Sequence, residues 1–204
     1  MRKQKYNINH NYFSQDWWSH NKAWILGFTQ ADGYISKNSN ILKYGISSKD
    51  LEILEFIKKE LNYNGIIKNV NPYDKRHNKY YNQSILQICS KQIKADLIKL
   101  GITPQKTGKE VFCDIPKEYI YSYIRGVFDG DGTVGINKIP CFSIVSVNKQ
   151  FLEEINKYLN NLCGLYQYKN VWRLATGKIP TLHYIHSLLY EDDSFYLKRK
   201  KDKF

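Results

Sequence analysis

Asp32 and Asp131 each close the same pattern of small and apolar residues. The first copy reads Ala23-Trp24-Ile25-Leu26-Gly27-Phe28-Thr29-Gln30-Ala31-Asp32-Gly33-Tyr34. The second reads Tyr123-Ile124-Arg125-Gly126-Val127-Phe128-Asp129-Gly130-Asp131-Gly132-Thr133-Val134. On a helix, Gly27 and Ala31 share one face, as do Gly126 and Gly130, because residues four apart stack one above the other. A stripe without side chains lets two helices meet closely, the small-xxx-small geometry of membrane helix pairs. Such packing brings Asp32 and Asp131 together at the helix C-termini, with Gly33 and Gly132 as left-handed C′ stops. Two carboxylates at the negative ends of two helix dipoles repel unless they share a cation. Hard oxygen ligands with room for water and phosphate suit Mg²⁺, or Mn²⁺, and a divalent ion between acids serves in-line phosphodiester hydrolysis. One helix-Asp-Gly alone would mark only a helix end. Its duplication is what points to chemistry.

Charge names the class of partner. The 204 residues include 31 Lys plus Arg against 19 Asp plus Glu, a formal net charge of +12, with an isoelectric point near 9.4. An excess of this size points to a polyanion, most simply nucleic acid. No apolar run reaches transmembrane length, and the Lys-rich start lacks the apolar core of a secretory signal. An intracellular location without membrane contact is expected. Richness in Lys, Asn, Ile and Tyr suggests an AT-rich genome: the cytoplasm of a bacterial or phage-infected cell, or an organelle matrix. Cys89, Cys113, Cys141 and Cys163 form no Cys-x-x-Cys pair and lie in or near apolar stretches, which favours reduced, buried thiols over zinc. His183 and His186 are three apart on an expected helix but have no second pair to complete a metal site. His10, His20 and His77 read as surface or loop residues.

The elements that position the acids repeat as well. Tyr34 to Ser48 reads as two strands around an Asn-Ser-Asn turn, and Thr133 to Val147 as two around Asn137-Lys138-Ile139-Pro140. Asp50 then caps a helix carrying Ile53, Leu54, Ile57 and Leu61, and Asn148 caps one carrying Phe151, Leu152, Ile155 and Leu159. Leu54, Ile57 and Leu61 map onto Leu152, Ile155 and Leu159 at a constant offset of 98, against 99 for the two acids. A longer hairpin follows, from about Gly65 to Cys89 and from about Gly164 to Thr176. A helix closes each half, Lys91 to Leu100 and Ile179 to Leu189. The expected fold is α+β: two pseudo-symmetric αββαββα halves, residues 20–102 and 118–204, packed through the motif helices. Residues 1–19 form an N-terminal extension and 103–117, with Gly, Pro and Lys, a linker.

Antiparallel strands covered by helices on one face leave the other face open. Tyr81, Gln83 and Gln87 alternate against Leu86 and Ile88 and are expected on that open face. Gln167, Lys169 and Arg173 are expected there in the second half, and the charged turn of the first long hairpin adds Lys75 and Arg76. Such side chains read base edges and grip phosphates, and a ribbon bearing them can follow a major groove.

Together these residues resemble the LAGLIDADG homing endonucleases, of the single-chain type with two motifs. Ile25 to Gly33 looks like the first copy of the motif and Ile124 to Gly132 like the second, and the likeness runs from about residue 20 to the end. The resemblance implies a monomer that mimics a dimer, its antiparallel sheets forming a DNA-binding saddle. It implies a site-specific double-strand DNA endonuclease acting on a long, pseudo-palindromic target and leaving 3′ overhangs, as in intron homing. Asp32 and Asp131 would bind the divalent ions, with backbone carbonyls of Ala31 and Gly130 as further ligands. Lys91 and Lys178, just after the last strand of each half, would occupy the family's place for a lysine near the scissile phosphate. The basic stretches Pro104 to Thr107 and Tyr196 to Lys200 resemble family segments that touch the DNA backbone.

Three positions depart from the family pattern or stand out within it. Gln30 stands where the family's name has an acid, while the second copy keeps Asp129; that position is not the usual metal ligand, and Asp129 suits a capping or solvent-ordering role. Arg125 is a polar intrusion into an apolar stretch, for which the outward side of the helix is the natural place. Residues 1–19, with Trp17 and Trp18, lie outside the resemblance, either packed on the body or reaching for DNA. The initiating Met1 and the lack of splice-junction residues favour an intron-borne or free-standing origin over an intein. Two other functions fit the scaffold: an RNA-splicing maturase and a non-catalytic DNA-binding regulator. A maturase needs no metal acids, so the presence of both Asp32 and Asp131 weighs against it.

Overall fold

Apolar residues at helical spacing fold as helices here, and alternating stretches fold as strands. The computed structural model describes residues 6–136 and 139–204, so Asn137 and Lys138 of the expected second turn lie outside the described residues. The first half comprises α1 His20–Asp32, β1 Gly33–Ile35, β2 Ile41–Ser47, α2 Leu51–Glu60, β3 Ile67–Val70, β4 Tyr73–Asp74, β5 Lys79–Tyr80, β6 Gln83–Cys89 and α3 Lys91–Lys99. The second comprises α4 Ile120–Asp131, β7 Gly132–Gly135, β8 Cys141–Ser146, α5 Lys149–Tyr158, β9 Gly164–Tyr168, β10 Val171–Thr176, α6 Ile179–Leu189 and a short α7, Lys198–Lys201. The two main sheets share one topology, β1-β2-β6-β3 and β7-β8-β10-β9. Their registers correspond: Gly33 pairs with Tyr44 and Tyr44 with Leu86, as Gly132 pairs with Ile144 and Ile144 with Leu174. The expected α+β pair of pseudo-symmetric halves is what folds. The halves differ in their long hairpins: that of the first half ends in a separate two-stranded ribbon, β4–β5.

Helices cover one face of each sheet. α2 buries Ile53, Leu54 and Ile57, and α5 buries Phe151, Leu152 and Ile155, each a stripe at helical spacing. Asn148 caps α5 as expected, its Oδ1 accepting from Gln150 N at 3.0 Å and Phe151 N at 3.4 Å. Asp50 does not cap α2. A 3₁₀ turn, Ser48–Asp50, precedes that helix, and the Asp50 carboxylate makes no capping bond.

α1 and α4 run through the middle of the molecule with their glycines in contact. A Cβ added to Gly27 would lie 2.0 Å from the Tyr123 carbonyl oxygen, and one on Gly126 would lie 2.1 Å from that of Trp24. Tyr123 and Trp24 are themselves equivalent positions of the two motifs, so the interface obeys the internal pseudo-two-fold. Arg125 does not face outward. It is fully buried, donating from Nη2 to Asp192 Oδ1 at 2.9 Å and from Nη1 to the Leu189 carbonyl at 2.6 Å. A buried cation is tolerated where a carboxylate and a carbonyl both receive it. Asp192 lies 67 residues away.

Residues 6–19 pack on the body. Tyr12 and Phe13 enter the core, the Tyr12 hydroxyl donates to Glu60 at 2.8 Å, and Asn9 N donates to the Leu61 carbonyl at 2.8 Å. The ammonium of buried Lys22 lies 4.6 and 4.5 Å from the ring centroids of Trp17 and Trp18 and donates to the Trp17 carbonyl. The rings' negative faces offset part of its lost hydration. All four cysteines are free thiols, but only Cys113 and Cys163 are buried; Cys89 is exposed and Cys141 half-buried. Cys89 falls on the open face because it lies two residues beyond Gln87, and side chains alternate along a strand.

Candidate active site

The acids sit where the paired helices turn into the sheets. Asp32 ends α1 and is followed at once by β1, and Asp131 ends α4 and is followed at once by β7. They are neighbours: a Cβ placed on Gly130 would be 3.4 Å from Asp32 Oδ2 and 2.3 Å from the Ala31 methyl. One methyl fills this spot, and a second would not fit. Gly33 and Gly132 do end the helices, but in extended backbone (φ −73° and −95°) rather than the left-handed conformation expected. Their reason is space. A Cβ on Gly33 would be 2.6 Å from the Thr29 carbonyl oxygen, and one on Gly132 would be 2.2 Å from the Phe128 ring.

Both carboxyl groups reach solvent, so water and a phosphate can approach, yet the surrounding protein strips much of their hydration. Burial raises Asp32 above the usual carboxylate range, with Lys106 and Lys200 opposing. Burial, and then the neighbouring Asp32, push Asp131 up to about 6. Burial is the larger cause at both acids, and at Asp131 the Asp32 charge adds to it. Among the described residues no group of three or more His, Cys, Asp and Glu could form an all-protein metal cage. A pair of carboxylates plus nearby carbonyls fits a hard ion that keeps positions for water and phosphate.

The lysines beside the acids are Lys106 and Lys200. Lys106 Nζ donates to the Ala31 carbonyl at 2.7 Å, the very oxygen expected to face a metal. Lys200 Nζ donates to the carbonyls of Phe128, Asp129 and Gly132 at 2.6, 2.8 and 2.7 Å. Burial pulls Lys106 below its usual range, and pulls Lys200 down to about 8, while the acids oppose the shift. Lys91 and Lys178 instead stand exposed where α3 and α6 begin, and neither is among the charges acting on Asp32 or Asp131. Sequence reasoning noticed Lys106 and Lys200 only as members of basic stretches. Asp129 is interior: its Oδ2 accepts from Trp24 Nε1 at 2.9 Å and from Leu197 N at 3.0 Å, and burial pushes it up to about 6. Its counterpart Gln30 is likewise buried, with neither amide atom bonded.

The open faces of the sheets flank this centre. In the first sheet Tyr34, Lys43 and Gln87 form one cross-strand row, and Ser47, Gln83 and Val70 another. Gly45 lies between them with nothing within 4 Å of its Cβ position. In the second sheet Val145, Arg173 and Tyr166 share a row on the open face. Gln167 does not join Arg173. It pairs with Trp172 and shares the parity of Leu165, whose partner Leu174 is buried, so it points to the helix side. Lys169 sits in the β9–β10 turn at φ 53°. Tyr81, Lys75 and Arg76 are exposed along the β4–β5 ribbon. Tyr34, Lys43 and Lys68, which pairs with Ile85, were missed, although the alternation of β1, β2 and β3 could have found them.

Paired helices, two matching sheets and one shared acidic centre define a class of scaffold before any comparison. A LAGLIDADG-like domain model matches residues 19–102 and 118–187, and the chain belongs to that family as its single-chain, two-motif type. The DNA polymerase of Thermococcus hydrothermalis is 32% identical over 148 residues, 68% of this chain but 8% of the polymerase. That of Thermococcus litoralis is 28% identical over 145 residues, again 8% of its length. The chain therefore spans a small part of these curated relatives. Among solved structures, the I-LtrWI LAGLIDADG homing endonuclease bound to target DNA matches with a TM-score of 0.61 at 14% identity, covering 95% of this chain and 88% of that one. I-DmoI in complex with DNA and Ca matches at 0.60 and 16%, covering 95% and 97%. The N-terminal LAGLIDADG domain of DUF199/WhiA matches at 0.57 and 14%, covering 92% and 90%. At these identities the likeness is one of fold.

Proposed function

We propose that this chain is a monomeric, divalent-metal-dependent endonuclease that cuts both strands of a long, pseudo-palindromic DNA site and leaves 3′ overhangs. The observation that carries the reading is the meeting of Asp32 and Asp131 where α1 and α4 turn into the two sheets. Support comes from the solved relatives bound to DNA, two of them with calcium. A divalent ion, Mg²⁺ or Mn²⁺, would supply acidification of the attacking water and charge neutralisation at the leaving oxygen. Asp32 and Asp131 would hold it, and the Ala31 carbonyl would join them only where Lys106 Nζ, now bonded to it at 2.7 Å, gives way. Lys106 and Lys200 keep positive charge beside the acids, where it offsets charge developing on a phosphate. The row Tyr34–Lys43–Gln87, together with Gln83 and Arg173, orients the duplex, and surface Lys and Arg supply most of the affinity.

The same scaffold and basic charge also suit a second reading, a DNA-binding regulator without catalysis. Plasmids carrying candidate sites, incubated with and without Mg²⁺, separate the two. Nicking by wild type that is lost in Asp32→Asn and Asp131→Asn, with DNA binding retained, is the expected outcome. Cleavage that survives both substitutions, or binding with no cleavage under any divalent ion, defeats the endonuclease reading.

A further inference from the structure

The segments that bring the two lysines to the acids each cross to the opposite half. The segment after α3 carries Lys106 and then docks on the second half. There Asn148 Nδ2, at the head of α5, donates to the Glu110 carbonyl at 2.7 Å, and Phe112 packs edge-on against Tyr123 of α4 at 5.0 Å. The segment after α6 carries Lys200 and docks on the first half. Phe195 packs edge-on against Trp24 of α1 at 4.6 Å and stacks on Phe56 of α2 at 4.0 Å. Arg199, adjacent to Lys200, grips Asp50 at the head of α2 with two bonds of 2.6 and 2.7 Å.

The docking points are equivalent. Asp50 and Asn148 are 98 residues apart, the same offset as the stripes of the helices they head, and Trp24 corresponds to Tyr123 in the motif repeat. Asp50 is nearly buried yet caps nothing, so its two oxygens are given over to the guanidinium. Such a two-pronged pair fixes direction as well as distance.

We infer that each half fixes the other half's pocket lysine: Asp50, through Arg199, positions Lys200, and Asn148, through the Glu110 carbonyl, positions Lys106. These are positioning residues, since neither Asp50 nor Asn148 bonds to the acids, although the Asp50 charge is a minor part of what raises Asp32. The inference rests on the endonuclease reading for its effect on cleavage, but not for its effect on Lys200 itself. Arg199 holds the backbone from one side while the three carbonyls hold the ammonium from the other. Releasing the guanidinium frees one end of a four-residue helix that cannot hold its own shape.

Asp50→Asn is the test, with two readouts. The first is Lys200 acylation by acetic anhydride, followed by mass spectrometry. Lys200 is 5% exposed in the intact protein, and the substitution is expected to raise its acylation rate on the order of tenfold, as local opening becomes easier. The second is single-turnover cleavage at saturating protein. One strand is expected to slow by on the order of 100-fold, as for a misplacement of about 1 Å, so nicked plasmid accumulates while binding in Ca²⁺ is retained. Asp50→Glu restores both readouts in part, and Asp50→Asn with Arg199→Ala is no worse than either alone. If Asp50→Asn does not fold, Arg199→Lys keeps the charge and loses the fork and is read in the same way. Unchanged acylation, or equal slowing of both strands together with weakened binding, overturns the inference. Wild type that cuts nothing while acylation still responds to Asp50→Asn defeats the endonuclease reading and leaves the clasp standing.

Discussion

Gly27→Ala tests whether backbone contact between α1 and α4 sets the distance between the acids. The new methyl would be 2.0 Å from the Tyr123 carbonyl oxygen, and 2.9 Å from the Tyr123 carbonyl carbon and from Val127 N. An ordinary carbon–oxygen contact is about 3.3 Å, so the helices must part by about 1.3 Å at that point. Every atom in the way is backbone, so no side chain can swing aside. Overpacking costs about 1–3 kcal/mol, and a contact this rigid belongs at the upper end, about 3 kcal/mol. For a domain of this size each kcal/mol lowers Tm by about 2–4 °C, giving a drop of about 6–12 °C. Because Asp32 rides on the same helix, cleavage should fall on the order of 100-fold. Calorimetry and single-turnover cleavage read the two effects. Gly45→Ala is the control: nothing lies within 4 Å of its Cβ position, so Tm should hold within about 2 °C, as for surface substitutions. A Gly27→Ala protein that melts with the control would refute the reasoning.

Four further outcomes follow from the geometry. Asp192→Asn strips the buried Arg125 of its carboxylate and should cost about 3–5 kcal/mol in urea melts, whereas Arg125→Met, which removes the charge itself, should cost less. Burial alone would raise Asp192, but the bonds from Arg125 and Ser194 and the Arg125 charge outweigh it and hold the group well below the usual carboxylate range. The folded state therefore binds fewer protons than the unfolded one in acid, so this stability is complete above about pH 4 and is lost as pH falls further. Thermal melts across that range should lose their acid slope in Asp192→Asn. Asp131, pushed up to about 6, is protonated below that value, so cleavage at limiting Mg²⁺ should drop about tenfold per pH unit there; a flat profile from pH 7 to 5 would contradict this. DNA affinity should fall steeply and linearly in log–log titrations against salt, and Lys43→Ala should flatten the slope by about one unit.

The fold was legible where the chain repeats itself. The motif stripes, the offset of 98 and the cap residues of α5 announced two equal halves before any coordinates. What stayed hidden was non-local. The places of Lys106 and Lys200 depend on crossing segments that differ in length and carry lysine and aromatic in opposite order, so no repeat marks them. Lys91 and Lys178, by contrast, recur symmetrically just after the last strand of each half, which is why the sequence singles them out. Arg125 looked outward because its partner Asp192 is far along the chain, and a lone motif gives no hint of a buried ion pair. Gln167 was placed on the wrong face because parity must be counted from a buried neighbour, here Leu165. Gly33 and Gly132 were expected to need a left-handed backbone, yet they serve by taking up no room.

The crossed segments also bear on how such proteins can be recombined. A hybrid made by joining residues 1–117 of this chain to the latter half of a relative would keep Lys106 but lose its anchor at Asn148. It would also inherit a foreign C-terminus with no assurance of an arginine to grip Asp50. The transferable module is thus not a contiguous stretch of chain but a half together with the tail of its neighbour, and graft boundaries drawn between α3 and α4 cut through it.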